Sequence, residues 1–508
     1  MDGGVNTDLT DGGMDKRVVV IGAGIGGLAA AVLLAARGLD VQVVEKEAAP
    51  GGKLREVAAG SARVDAGPTV FTMRWVFEEI FAQAGAALDD HLALTRSRVL
   101  ARHAWGDGSR LDLFADRAES AEAIGRFAGA AEARGFLAFS ERAARIWRTL
   151  EGSFIREDRP SVLDLVAKAG ARDLMGISPF TTLDRGLAEH FRDPRLRQLF
   201  GRYATYCGSS PFDSPATLML VAHVESEGVW LVEGGMHRLA VVLASLAERL
   251  GARVRYGVGV KSITRRGGRA DGVVLETGER LSAEAVICNG DSNAVAAGLF
   301  GDLGSVVKPT APAERSLSAL TWATQAVPEG FPLLRHSVFF SDDYRAEFDA
   351  LKRGRLPAVP TVYICAQDRA DHEAQPDGPE RLLVLVNAPA TGDAGNPTPA
   401  EIARCEERTL TQLRRCGLSL AFDPQATVTT GPPGFGGLFP ATGGALYGPN
   451  AHGWAASFRR PGARTKLPGL YLAGGSTHPG PGVPMAALSG RLAASALMAD
   501  LASTVRSR

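Results

Sequence analysis

The sequence predicts an α/β protein that opens on a Rossmann-like dinucleotide-binding unit, and two observations carry that expectation. First, the run V-V-V-I-G-A-G-I-G-G places Gly22, Gly24 and Gly27 in a G-x-G-x-x-G array. Second, the array has the surroundings it needs. A β-branched strand precedes it, an Ala/Leu helix follows, Gly38 ends that helix, and a second strand from Val41 to Val44 carries Glu45 at its tip. Gly22 makes the turn, Gly24 lets the backbone approach a pyrophosphate, and Gly27 lets helix pack on strand. The helix N-terminus offers unpaired N–H groups and a positive dipole end to the phosphates. Glu45 is placed to accept hydrogen bonds from the adenosine ribose, and its charge disfavours a 2′-phosphate.

The remaining composition narrows the classes. The 508 residues are 45% hydrophobic, enough for a sizeable core and, at about 150 residues per domain, for two to four units. Lys plus Arg (56) equals Asp plus Glu (56), so no bulk positive charge exists to hold nucleic acid, and no such partner is expected. The cysteines (Cys207, Cys288, Cys365, Cys405, Cys416) are odd in number and far apart without C-x-x-C, which indicates neither a disulfide framework nor a metal site. Walker A, G-x-S-x-G and H-E-x-x-H patterns are absent. Val18 to Ala36 is uncharged and long enough to span a bilayer, but its four central glycines suit a strand, turn and helix start, so no transmembrane helix is expected. Residues 1 to 13, acidic and Gly-rich, read as a disordered leader and not as a signal peptide.

Further motifs follow in a telling order. After Glu45 come K-E-A-A-P-G-G-K-L, with Lys53, and V-D-A-G-P-T-V, with Gly67, Pro68 and Thr69. Residues 229 to 263 contain V-W-L-V-E-G-G-M-H-R-L-A and V-R-Y-G-V-G-V-K-S-I, and A-E-A-V-I-C-N-G-D ends at Asp291. Gly469 to Gly490 reads G-L-Y-L-A-G-G-S-T-H-P-G-P-G-V-P-M-A-A-L-S-G. Together these resemble the FAD-binding fold shared by amine oxidases, protoporphyrinogen oxidase, GDP dissociation inhibitors and carotenoid desaturases. The resemblance implies FAD as cofactor. It lays Lys53, where the superfamily has Arg, along the dinucleotide, with Gly67, Pro68 and Thr69 in the same site. The backbone near Val260 then faces the adenine, and Gly474, Gly475 and Met485 lie against the flavin and its ribityl chain. Lys keeps the charge of Arg and loses its planar fork.

The T-H-P-G-P-G-V-P turn is more specific and resembles that of bacterial phytoene-desaturase-type carotenoid desaturases; Phe191 to Thr217, His336 to Phe348 and Pro360 to Arg369 agree, so the resemblance runs from about residue 16 to residue 500. T-Y-C-G-S-S-P-F-D-S-P-A-T-L with H-V-E-S-E-G-V-W-L-V-E-G-G-M is most similar to the hydroxyneurosporene desaturases, also called methoxyneurosporene dehydrogenases or 1-hydroxycarotenoid 3,4-desaturases. What this implies is an FAD-dependent oxidoreductase of carotenoid biosynthesis in photosynthetic bacteria. It would introduce a C3–C4 double bond into an acyclic 1-hydroxy or 1-methoxy carotenoid by hydride transfer to flavin N5 and loss of a proton. A quinone or oxygen would take the electrons onward. Phytoene desaturase is the alternative within the family; an amine or protoporphyrinogen oxidase and a non-redox prenyl-lipid carrier are the alternatives outside it. His478, the titratable group inside the flavin-side turn, is the candidate proton acceptor, although a His there also serves to fix a loop. Asp213, Asp342 and Asp343 are acidic alternatives.

A C40 polyene must be taken from a bilayer, so peripheral attachment to the cytoplasmic side of a bacterial inner, photosynthetic membrane is expected. Phe136, Phe139, Ala143, Ile146, Trp147 and Leu150 repeat at helical spacing with Arg134, Arg142, Arg145 and Arg148 among them, a candidate docking helix whose stripe would suit a core equally well. The motif positions divide the chain into an FAD-binding domain (14–85, 220–300, 455–500), an interleaved α+β substrate and membrane-facing domain (86–219, 301–454) and a tail (501–508). Pro432 to Gly448, rich in glycine and aromatics, either lines a tunnel or forms a surface loop.

Overall fold

The computed structural model describes residues 17–370 and 376–506; the expected leader lies outside them. Val18, Val19 and Val20 are fully buried, the signature of a strand covered on both faces. That strand, Arg17–Ile21, is the centre of a five-stranded parallel sheet in the order Leu470–Leu472, Ala285–Cys288, Arg17–Ile21, Asp40–Val44, Arg253–Arg255. Three distant stretches of chain therefore share one sheet. All 11 residues of the Ile25–Ala35 helix are buried, as expected of a helix that is apolar all round. The Arg238–Arg249 and Val483–Arg506 helices pack on it. A Cβ on Gly490 would stand 2.0 Å from the Gly26 carbonyl oxygen, so these two helix backbones meet with no side chain between them.

Residues Val483–Ser503 are long and apolar enough to cross a bilayer, a property the sequence reading gave to the glycine run alone. Their packing explains the composition: Ala487, Leu488, Ala493, Ala494 and Leu497 are fully buried in the core shared with the Ile25–Ala35 helix. The same helix continues to Arg506, so residues 501 to 506 are not a separate tail.

A second, seven-stranded sheet runs Thr427–Thr430, Ser318–Ala326, Glu380–Ala388, Val362–Ala366, His336–Phe339, Val99–Ala104, Arg110–Phe114, antiparallel except where His336–Phe339 meets Val99–Ala104. One face packs Trp322, Ile364 and Val384 against Leu413 of the Pro399–Arg415 helix, which a Thr398/Glu401 capping box starts. On the other face Ala323, Cys365 and Leu383 pack on the hairpin Glu56–Ala59/Ala62–Asp65, which leads from Lys53 to Gly67. Gln367 clamps the end of that hairpin, accepting from the Asp65 N–H at 2.9 Å and donating to the Asp65 carbonyl at 2.8 Å. Within this sheet Arg369 and Glu380, 4% and 2% exposed at their side chains, form a two-pronged pair at 2.6 and 2.7 Å.

The candidate docking helix is corrected by its packing. In the Ala130–Leu150 helix Phe136, Phe139, Ala143 and Ile146 are buried against Phe191, Leu196 and Phe200, and Trp147 enters the core beside the parallel sheet. Arg142 is buried too, donating to Glu189 at 2.6 Å. Periodicity found the apolar face and could not say what covers it.

Candidate functional site

The glycine loop is built as the spacing requires. Gly22 has φ of +93°, and a Cβ on Gly27 would stand 2.3 Å from the Gly22 carbonyl oxygen. Gly24 caps the helix without a side chain, which leaves the first-turn N–H groups facing outward. Glu45 lies at this loop: its carboxylate accepts from the Ala23 N–H at 2.6 Å and the Glu47 N–H at 2.9 Å, and burial raises its pKa more than those two bonds lower it. The Glu45 carbonyl accepts from the Val258 N–H at 3.0 Å, bringing the strand that begins at Val260 beside the Glu45 carboxylate.

Asn289, which the sequence reading passed over, holds the glycine loops together. It follows the Ala285–Cys288 strand, and its amide donates to the Gly22 carbonyl at 3.4 Å. A Cβ on Gly24 would meet that amide at 2.6 Å, one on Gly26 at 2.7 Å and one on Gly474 at 3.2 Å. Both glycine turns are thus moulded on one small polar side chain. Gly474, at φ +111°, donates its N–H to Ser489 Oγ at 2.7 Å, which fixes the turn to the helix that carries Met485.

Lys53 donates to the Leu446 carbonyl at 2.7 Å and stands 5.2 Å over the Phe439 ring, while Lys46 reaches the Leu438 carbonyl at 2.8 Å. The Pro432 to Gly448 stretch is therefore drawn onto the cofactor segment. A Cβ on Gly67 would stand 1.9 Å from the Lys53 carbonyl oxygen, and Asp65 accepts from the Met236 and His237 N–H groups, so the three distant motif segments lock into one unit. Asp291 spends one carboxylate oxygen on the Asn293 N–H at 2.9 Å; its other oxygen is buried without a partner, near the charges of Lys53 and Arg460. Arg460 is buried and donates to the carbonyls of Gly475, Tyr447 and Pro449. A dinucleotide bearing phosphates and a polyol chain fits this set of groups: a helix N-terminus bared by glycine, the Glu45 carboxylate beside it and an orphaned buried acceptor on Asp291.

Pro68 is exposed and Thr69 half-buried between the buried Ala66 and Phe71, and Thr69 Oγ1 shares a 2.6 Å hydrogen bond with the Tyr363 hydroxyl. Lys53, Tyr206, Cys207, Tyr363 and Tyr447 are heavily desolvated by surrounding protein, yet all keep accessible surface.

The acid-base candidates are each engaged by other groups of the protein. His478 is buried, its Nε2 lies 2.9 Å from the Phe154 carbonyl, and its backbone N–H donates to Pro461. Burial lowers its pKa against the pull of the Phe154 and Glu157 carbonyls, so the neutral ring keeps its proton on a carbonyl and ties the turn to residues 151–157. The geometry gives His478 a role in holding the turn. Asp213 pairs with Lys352, Asp342 with Arg415, and Asp343 caps the Tyr344–Lys352 helix, which engages all three elsewhere.

A parallel sheet with glycine turns at its strand ends and a buried carboxylate beside the first turn is the architecture of a dinucleotide-binding enzyme. Comparison with known proteins agrees. Residues 25–498 match the family of flavin containing amine oxidoreductases. The chain is 58% identical over 498 residues to the hydroxyneurosporene desaturase of Rubrivivax gelatinosus, covering 97% of this chain and 95% of that one. It is 48% identical to the protein of the same name from Cereibacter sphaeroides (96% and 99% covered), and 31% identical to the 1-hydroxycarotenoid 3,4-desaturase of a Flavobacterium species (94% and 98%). Among solved structures, putrescine oxidase bound to putrescine superposes with a TM-score of 0.58 at 16% identity, covering 95% of this chain and 99% of that one, a likeness of fold. The chain belongs to the flavin-containing amine oxidoreductase family, in its carotenoid desaturase branch, and FAD is its cofactor.

Proposed function

We propose that this enzyme introduces the C3–C4 double bond into an acyclic 1-hydroxy or 1-methoxy carotenoid such as 1-hydroxyneurosporene. The observation that carries the reading is the part-exposed cluster of Arg202, Tyr206 and Tyr363, which the 2.6 Å hydrogen bond between Tyr363 and Thr69 joins to the cofactor segment. The full-length likeness to hydroxyneurosporene desaturases supports it. FAD, when bound, supplies the two-electron acceptor that oxidation of CH2–CH2 to CH=CH requires. The chain supplies position and dryness. The 22–27 loop and Glu45 hold the adenosine end, the Gly474 turn and Asp291 stand at the other end, and the rings of Tyr206 and Tyr363 beside Thr69 align the polyene. Incubating FAD-loaded protein and a quinone with liposomes containing 1-hydroxyneurosporene, neurosporene or phytoene tests this. A red-shifted pigment from the hydroxylated substrate alone is expected; a new chromophore from phytoene would make it a phytoene desaturase, and no shift with any polyene would return it to the amine-oxidising branch.

The same reading places the protein peripherally on the cytoplasmic face of a photosynthetic membrane, with a quinone or oxygen as final acceptor. The surface that favours lipid is not the Ala130–Leu150 helix. Leu163 (80% exposed), Met175 (65%), Phe180 (65%) and Trp454 (48%) are bared on the Val162–Ala169 and Ala171–Gly176 helices and the adjoining loops, and the Phe180 and Trp454 rings touch at 5.5 Å. Lys168, Arg172 and Arg459 are exposed on the same segments, suiting anionic headgroups, with Lys168 paired to Glu157 at 2.6 Å. Phe180→Ser with Trp454→Ser is expected to cut co-sedimentation with phosphatidylglycerol vesicles at least about tenfold; unchanged sedimentation would move the docking face elsewhere.

A further inference from the structure

The cluster beside Thr69 holds one feature that a pure hydrocarbon would not call for. Arg202, Tyr203 and Tyr206 share the turn Arg202–Cys207. The Tyr203 hydroxyl donates to Glu225 Oε2 at 2.7 Å, and the Tyr206 hydroxyl donates to Glu225 Oε1, so both carboxylate oxygens are taken by phenols. Arg202 has no ion-pair partner within 4 Å among the described residues. Its guanidinium makes one hydrogen bond to the protein there, to the Tyr206 hydroxyl at 3.4 Å, and otherwise lies over the Tyr206 and Tyr363 rings at 5.2 and 5.8 Å. Like those two phenols it is part-exposed, so its remaining N–H groups are open to a ligand. His103 and His336, the neighbouring imidazoles, are held neutral by burial and by the charge of Arg202, their pKa values lowered to about 3. Tyr363 links the cluster to the cofactor segment through Thr69.

A guanidinium in an apolar enclosure is costly unless its donors meet acceptors. We propose that Arg202, with the phenols of Tyr206 and Tyr363 beside it, recognises the oxygen at the end of the carotenoid. The assignment rests on the reading above that the substrate is a 1-oxygenated chain. A guanidinium only donates, and hydroxyl and ether oxygens both accept, so one site serves 1-hydroxy and 1-methoxy ends. C1 and C3 are separated by two bonds, so gripping the C1 oxygen next to the cofactor segment fixes which carbon pair is presented for oxidation. Arg202 is in this sense a specificity-determining residue.

The test compares FAD-loaded wild type, Arg202→Met and Arg202→Lys on 1-hydroxyneurosporene and neurosporene, by kcat/KM and by equilibrium binding read from quenching of protein fluorescence. Wild type is expected to prefer the hydroxylated chain. Arg202→Met should lose about ten- to a hundredfold in binding and kcat/KM on that chain while changing little on neurosporene, with Arg202→Lys between the two. Arg202→Met that keeps the wild-type preference, with full FAD content and an unshifted melting temperature, would overturn the proposal while leaving the desaturase reading intact. Should Arg202→Met fail to fold, an unaltered preference in both Arg202→Lys and Tyr206→Phe overturns it equally. Wild type that neither binds nor oxidises the hydroxylated chain preferentially would instead sink the substrate reading, and this assignment with it.

Discussion

Replacing Gly27 with alanine puts a methyl group 2.3 Å from the Gly22 carbonyl oxygen and 3.1 Å from Asn289 Cβ. A carbon and an oxygen in contact need about 1 Å more than that first distance, and the obstacle is backbone, so relief requires moving the start of the Ile25–Ala35 helix away from the strand end. That helix is wholly buried and meets the Gly490 backbone on its far side, so little room exists for the shift. The expected cost is about 1–3 kcal/mol in stability. The displaced N–H groups should weaken FAD binding about tenfold to a hundredfold. Flavin content after gel filtration, FAD titration of the stripped protein and thermal melting measure both effects. Gly24→Ala separates backbone from side-chain crowding, because its methyl would meet chiefly the Asn289 amide at 2.6 Å. Adding Asn289→Ala should relieve the clash in Gly24→Ala and not in Gly27→Ala, read as a double-variant loss of melting temperature smaller than the sum of the single losses. Stoichiometric FAD and unchanged melting in Gly27→Ala would refute the reasoning.

Three further outcomes are expected. The raised pKa of Glu45 means that the folded apoprotein binds this proton more tightly than the unfolded chain; its contribution is fully present below the ordinary carboxylate value and is lost as pH rises through the raised one. Apo Glu45→Gln should therefore show a flatter melting-temperature profile from acid to neutral pH and bind FAD more weakly; a parallel profile would contradict it. Arg369→Met leaves Glu380 buried and unpaired, at about 3–5 kcal/mol in denaturant unfolding, and adding Glu380→Leu should recover most of the loss. His478→Gln, still able to donate to the Phe154 carbonyl, should keep turnover within about threefold with an unchanged pH–rate profile, whereas a lost acidic limb would reinstate His478 as a base.

What the sequence made legible is what depends on local backbone demands. Gly22, Gly24 and Gly27 are required by the shape of one turn, and Glu45 by the end of one strand, so both could be read from a short window. Asn289 could not, because its work lies in two loops brought together only by strand order. Arg202 and Glu225 sit on different helical turns and acquire meaning through the tyrosines between them. The aromatic stripe of residues 136–150 misled for the complementary reason: amphipathicity describes a face, and the cover comes from elsewhere in the chain.

The Leu470–Leu472 strand and the Val483–Arg506 helix complete a sheet whose first strand is Arg17–Ile21, so the order of synthesis matters to this enzyme. Until those late residues arrive, the apolar Ile25–Ala35 helix lacks one of its two packing partners and the second glycine turn does not exist. The nascent chain must carry that uncovered surface while nearly all of the protein is made, an interval in which self-association competes with closure. Supplying FAD after the chain is complete should then act as a latch on a site assembled last, and the yield of active enzyme should depend on chaperone capacity more than on cofactor supply.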